Sequence, residues 1–232
     1  MAKLAPHKET RLVVRFESEE ELRKRLLGIL APRVDGGAKV CHIEFESPNG
    51  IADVVLATLV DGWEERLKLG QIKPAWAYAL LQLSNEGCST DDFASFVGVT
   101  KATAKRILKS YVDAGFCVLD IESSRWVKLI GPKALVTEFC AIEMKLKNWR
   151  RALYQASRYR DFAHQAWVVM DDSDISPAIR NLNEFARLNV GLASLTIAGD
   201  VKIHAKPILR CPRSELRFWY ANSVIAERLL RN

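Results

Sequence analysis

Several things are missing from the 232 residues, and each absence removes a class of protein. The five cysteines, at 41, 88, 117, 140 and 211, are odd in number and form no C-x-x-C pair. This argues against a disulfide frame and against a zinc knuckle, and fits reduced thiols in a cytoplasmic protein. No apolar run is long enough to span a bilayer, and the first residues, MAKLAPHKETRLVVRF, lack the apolar stretch of a secretory signal. A soluble, cytoplasmic protein without a membrane partner is expected. There is no internal repeat and no low-complexity tract. Acidic residues are outnumbered, 28 against 34 Lys and Arg, giving a net charge of +6 and a pI near 9.1. That excess suits a nucleic-acid or other acidic partner without requiring one.

The apolar content, 49%, is sufficient for a packed core. Residues 10–16, TRLVVRF, read as a short strand. Residues 18–33 read as a helix, with Ser18 as N-cap and Glu19–Glu21 in the first turn. Strands are expected over 39–46 and 51–60, joined by the turn residues SPNG.

The pattern then changes. Helices are predicted over 74–87, 89–98 and 100–116, with Pro74 in a first turn, Thr100 as a cap, and Gly98 and Gly115 as stops. A two-stranded ribbon follows over 117–131, turning at Ser123–Ser124. Three helices and a ribbon form the winged helix-turn-helix pattern. Beyond it come a strand (134–146), a helix (147–165), a strand (166–171), a helix (176–189), a strand pair and a last helix (214–231). One α/β domain, residues 1–73 and 132–232, is therefore expected to be split by a winged-helix insertion at 74–131. The last helix is a candidate for core packing or dimerisation.

Glu143 and Lys145 alternate on the predicted strand and share a face. If the strand bearing Asp53 is a neighbour, two carboxylates meet beside an amine. Hard oxygen donors of this kind suit Mg2+, or Mn2+ in its place. Gln155 and Tyr159 are one helical turn apart on the following helix. Around them lie Lys147, Arg150, Arg151, Arg158 and Arg160, a charge run fit to hold a phosphate backbone or merely to face water. In the helix predicted over 100–116, Lys101, Thr103, Lys105, Arg106 and Lys109 point outward opposite Ile107, Leu108 and Tyr111. With Arg125 on the ribbon they are candidate DNA contacts, or else the module docks a protein.

The series Asp53, Glu143-Met144-Lys145 and Gln155-x-x-x-Tyr159 resembles the PD-(D/E)xK nuclease superfamily, and the glutamine–tyrosine pair is most similar to its RecB-like branch. The long gap from Asp53 to Glu143 becomes ordinary for the family once 74–131 is set aside. Ala52 stands where the family often has proline. The resemblance implies a restriction-endonuclease-like mixed sheet flanked by helices and a Mg2+-dependent DNA endonuclease. It further implies Asp53 and Glu143 as metal ligands, Lys145 as the catalytic amine, and Gln155 and Tyr159 in support. A first-helix glutamate often joins such a site; Glu20 is preferred here over Glu19 and Glu21. Glu44 and Glu46 are lesser substitutes for it, and His42, more simply an ordinary core histidine, could approach the site.

Two other readings of the residues stay open. Glu143 and Lys145 could be a surface pair, and Asp53 the cap of a turn after Gly50. The chain would then be a non-catalytic winged-helix DNA-binding regulator, or an assembly subunit with a protein partner or a homodimeric contact.

Overall fold

The structure is a computed structural model that describes residues 15–34 and 39–231. The expected strand at 10–16 lies mostly outside these residues, and Arg15 and Phe16 are not in a strand. Among the described residues, six strands form one mixed sheet in the order β1-β2-β5-β6-β7-β8. They are β1 (Lys39–Ser47), β2 (Gly50–Leu59), β5 (Val136–Lys145), β6 (Gln165–Asp171), β7 (Gly191–Leu195) and β8 (Val201–Ala205). β5, β6 and β7 run parallel; the other pairs are antiparallel. No helix of the described residues is long and apolar enough to cross a membrane.

The sheet separates two apolar layers because side chains alternate along each strand. On one face Val54, Ile142 and Met144 pack with Leu22 and Leu26 of α1 (Glu19–Val34). Ser18 starts that helix, its hydroxyl accepting the Glu21 N–H at 3.1 Å. Burying Leu22 and Leu26 contributes about 1.5–3 kcal/mol each. On the other face Phe139, Ala141, Val55 and Ala57 meet Ala152, Ala156 and Tyr159 of α5 (Trp149–Tyr159). α5 is the crossover joining parallel β5 and β6.

Between β2 and β5 the chain makes α2 (Ala77–Gln82), α3 (Thr90–Val97), α4 (Lys101–Asp113) and a ribbon of β3 (Cys117–Asp120) with β4 (Arg125–Lys128). Ser89 and Asp92 form a reciprocal capping box on α3, and Gly98 ends it in the left-handed region. Cys88 bridges to Trp126, adding a third strand-like position to the ribbon. Ala104, Ile107, Leu108 and Tyr111 of α4 are buried. They belong to the same apolar cluster as Phe139 and Tyr159.

The last helix, α8 (Glu215–Arg231), braces this junction. Asn222 Oδ1 accepts the N–H groups of Leu135 and Val136, both at 2.9 Å, and Ser223 donates to the Leu69 carbonyl at 3.1 Å. Gly70 lies against the backbone of Ala226, where an added Cβ would stand 2.5 Å from the carbonyl carbon.

Three expected helices are shorter or broken. Residues 74–76 form a 3-10 turn and α2 stops at Gln82. The Ser84 hydroxyl accepts the Glu86 N–H, and Gly87 has φ +76°, so the local turn outcompetes further helix. Asn148, left-handed with its side chain on the Arg151 N–H, delays α5. The helix expected over 176–189 divides into α6 (Ser176–Ile179) and α7 (Leu182–Leu188), broken at Asn181, whose amide donates to the Pro177 carbonyl.

Candidate active site

Asp53 and Glu143 are brought together by strand register. Val54 pairs with Ile142 and Val55 with Ala141, and the next step of this antiparallel ladder sets Asp53 opposite Glu143. Asp53 Oδ2 accepts the Met144 N–H at 2.7 Å. Lys145 completes the group. Its Nζ lies 3.2 Å from Glu143 Oε1, 2.9 Å from Glu19 Oε2 and 2.9 Å from the Met144 carbonyl. The pairing is not an exposed edge contact, because Glu143 is 1% exposed. Nor does Asp53 cap the turn at Gly50; there the Ser47 hydroxyl bonds the Gly50 carbonyl at 2.8 Å.

Burial raises the pKa of Asp53 and of Glu143, and for Glu143 the neighbouring Asp53 carboxylate adds to the rise. Burial alone would lower Lys145, but its bond to Glu19 and the charges of Glu143 and Asp53 outweigh this and hold its pKa above the usual value. Lys145 is therefore a firm cation.

Tyr159 reaches the group from α5. Its hydroxyl lies 2.6 Å from Glu143 Oε2 and 2.6 Å from the Ile51 carbonyl. The hydroxyl has a single hydrogen, so both contacts are full hydrogen bonds only when Glu143 carries a proton. Burial, then the Glu143 contact, push the phenol pKa up. Gln155, one turn before Tyr159 on the same helix face, has a buried Oε1 with no partner. It is an acceptor left open for water or ligand.

Glu20 does not belong here. It is exposed and bonds Lys24, one turn away, at 2.8 Å. Leu22 and Leu26 set the rotation of α1, and Glu19 lies on their side of the helix. Glu19 is thus the first-helix glutamate that reaches Lys145. Arg23, one turn after Glu19, pairs with Glu44 at 3.0 Å and lowers the Asp53 pKa against the larger effect of burial. Sequence reasoning overlooked Arg23; its i,i+4 spacing from Glu19 was the available signal. His42 lies under α8, where burial and Arg228 press its pKa down to about 4.

Among the described residues, no three His, Cys, Asp or Glu side chains form a ready-made metal cage. The donors present are two carboxylates whose buried charges lack a full counter-charge and a nearby backbone carbonyl; the open Gln155 oxygen lies one helical turn before Tyr159. Such a set fits Mg2+, which keeps most of its waters and takes one or two carboxylates. Past the C-terminal ends of β5 and β6, a cleft of about 600 Å3 is lined by Arg15, Lys147, Asp171 and Asp174, and by none of Asp53, Glu143, Lys145 or Tyr159. Asp171 is spent on the Phe16 and Ser173 N–H groups. Elsewhere Ser194 contacts Asp172 and His204 at 2.6 and 2.8 Å, but the serine is central and 0% exposed, unlike a nucleophile with its base.

The expected nucleic-acid contacts divide. Lys105, Arg106 and Lys109 are exposed along one flank of α4. Lys101 is exposed but paired with Asp91 at 2.8 Å. Two positions differ from expectation. Thr103 is half-buried and engaged with the Thr100 cap. Arg125 is tied to the Gly87 carbonyl at 2.6 Å, so it staples the ribbon instead of reaching outward. Arg150, Arg151 and Arg158 are exposed on α5, Arg150 over the Trp149 ring and Arg158 over Tyr154. In comparisons with known proteins, no family model, no curated protein and no solved structure gives a significant match to this chain.

Proposed function

We propose that the chain is a Mg2+-dependent DNA endonuclease of the PD-(D/E)xK kind, with residues 74–131 acting as a winged helix that engages DNA. The observation that carries this is the meeting of Asp53 and Glu143 on one sheet face with Lys145 Nζ 3.2 Å from Glu143. Asp53 and Glu143 would hold the cation, which when bound polarises the phosphodiester and acidifies a water. Lys145, charged throughout the neutral range, offsets the negative charge growing on the phosphate and orients the attacking water. Glu19 fixes the amine from the opposite side. Tyr159 holds the Glu143 carboxyl in place, and the Gln155 oxygen can accept a hydrogen bond from a water at the site. Lys105 and Arg106 on α4, and Arg150, Arg151 and Arg158 on α5, supply phosphate contacts.

A second reading has its own support. Lys145 is already satisfied by two glutamates, and no three-ligand cage is preformed among the described residues. A DNA-binding regulator with a silent nuclease-like core would look the same.

Cleavage separates the two. Purified protein is incubated with linear, circular and branched DNA in Mg2+, Mn2+ or chelator, beside Lys145→Ala. Metal-dependent nicking that drops about a hundredfold or more in Lys145→Ala is the expected result. Salt-sensitive binding without cleavage in any metal would favour the regulator.

A further inference from the structure

The outward side of α5 carries a feature that hydrolysis does not use. Tyr154 is 64% exposed. The Arg158 guanidinium lies 5.9 Å from its ring centre, and Arg150, one turn earlier, lies 4.6 Å from the ring of Trp149. Together with α7, this side of α5 forms a groove of about 310 Å3, floored by Trp149 and Leu153 and walled by Arg150, Tyr154 and Arg187. Its one lining carboxylate, Glu184, is held by Arg187 at 2.7 Å. Arg150, Arg151 and Arg158 have no carboxylate partner among the described residues.

A flat exposed ring with guanidinium groups on either side matches a base between two phosphates. The exposed Tyr154 ring can accept the face of a base, and the arginines without carboxylate partners answer the backbone charge. Bases inside a duplex are already stacked and cannot use such a ring, whereas unpaired bases can. Tyr154 is about 100° of helix rotation from Gln155, so the groove opens on a different flank of α5 from the one that faces Glu143.

We propose that this groove takes an unpaired base of a single-stranded DNA segment, stacked on Tyr154, with Arg150 and Arg158 on the adjoining phosphates. The proposal rests on the DNA-hydrolase reading and narrows its substrate to DNA with an unpaired stretch beside the cleaved bond.

The test is equilibrium binding of the full chain in chelator, where hydrolysis is silent. The probes are a single-stranded thymine-rich oligodeoxynucleotide, its RNA counterpart and the matching duplex. Tyr154→Ala weakens single-stranded DNA about tenfold and duplex less than about twofold, while Tyr154→Phe binds as wild type. A 2-aminopurine placed in the single strand is quenched by wild type and not by Tyr154→Ala. A parallel loss on RNA means the groove reads the base without regard to the sugar, in keeping with stacking. Equal loss on single strand and duplex, loss confined to RNA, or no loss overturns the proposal. The two readings fail separately. Tyr154-dependent binding without any metal-dependent cleavage removes the hydrolase and leaves the groove. Lys145-dependent cleavage with unaltered binding by Tyr154→Ala removes the groove alone.

Discussion

α4 and α5 both bury an apolar stripe and turn basic side chains outward, but only α5 brings an inward polar group to a buried carboxylate. The inner residues of α4 are Ala104, Ile107, Leu108 and Tyr111, and even the Tyr111 hydroxyl is consumed by the Trp76 carbonyl at 2.8 Å. The inner side of α5 offers Tyr159 to Glu143 and leaves the Gln155 oxygen open. In the proposed reading, the amphipathic basic face of α4 serves approach to DNA alone. The proposed chemistry falls to α5, whose buried face brings the Tyr159 hydroxyl to the Glu143 carboxyl.

Inner and outer positions of the two helices should separate in solution. The largest effect belongs to the inner side of α5. Tyr159→Phe leaves the Ile51 carbonyl and Glu143 without the phenol, and metal-dependent cleavage should fall about ten- to a hundredfold with DNA affinity retained. Equal loss of binding and cleavage would erase the distinction between the two helices. A smaller effect belongs to the outer side of α4. Replacing Lys105 and Arg106 together by Ala should weaken DNA binding about tenfold and flatten the log–log salt dependence by about two. Cleavage at saturating DNA should be unchanged.

How firmly the two helices are joined is a matter of stability. They share one apolar cluster and are braced by α8, so they should unfold together. Gly70→Ala forces a methyl group into the α8 backbone and should cost about 1–3 kcal/mol, read as one lowered thermal transition. Two separated transitions would show that α4 and α5 belong to independent units. The smallest effect concerns His42. Its pKa of about 4 lies below the ordinary imidazole value of about 6.5, so the folded state prefers the neutral ring. The stability this contributes is complete above about pH 6.5 and is lost as pH falls from there toward 4. Thermal melts of wild type should weaken over that window more than those of His42→Gln.

The contrast between the helices was legible in part. Gly98, Thr100 and Gly115 announced ends of α3 and α4, since caps and left-handed stops are local chemistry. The alternation Cys140, Ile142, Met144 against Glu143, Lys145 was equally local. The identity of the first-helix glutamate was partly readable, because the Leu22–Leu26 stripe selects Glu19 over Glu20. Other features depend on distant partners. Arg125 is bound by a backbone carbonyl 38 residues away, and nothing beside it in the sequence indicates that. The turn at Ser84–Gly87 had its residues in view, but the helical pattern before it masked their weight. The breaks at Asn148 and Asn181 likewise rest on single asparagines inside strongly helical surroundings.

The most direct test is a matched pair of assays on Glu143→Gln, which keeps the size of the side chain and removes its charge. Single-turnover cleavage in Mg2+ should drop at least about a hundredfold, while DNA affinity in chelator stays within about twofold of wild type. Metal-dependent cleavage that persists in Glu143→Gln at the wild-type rate would contradict the assignment of this site.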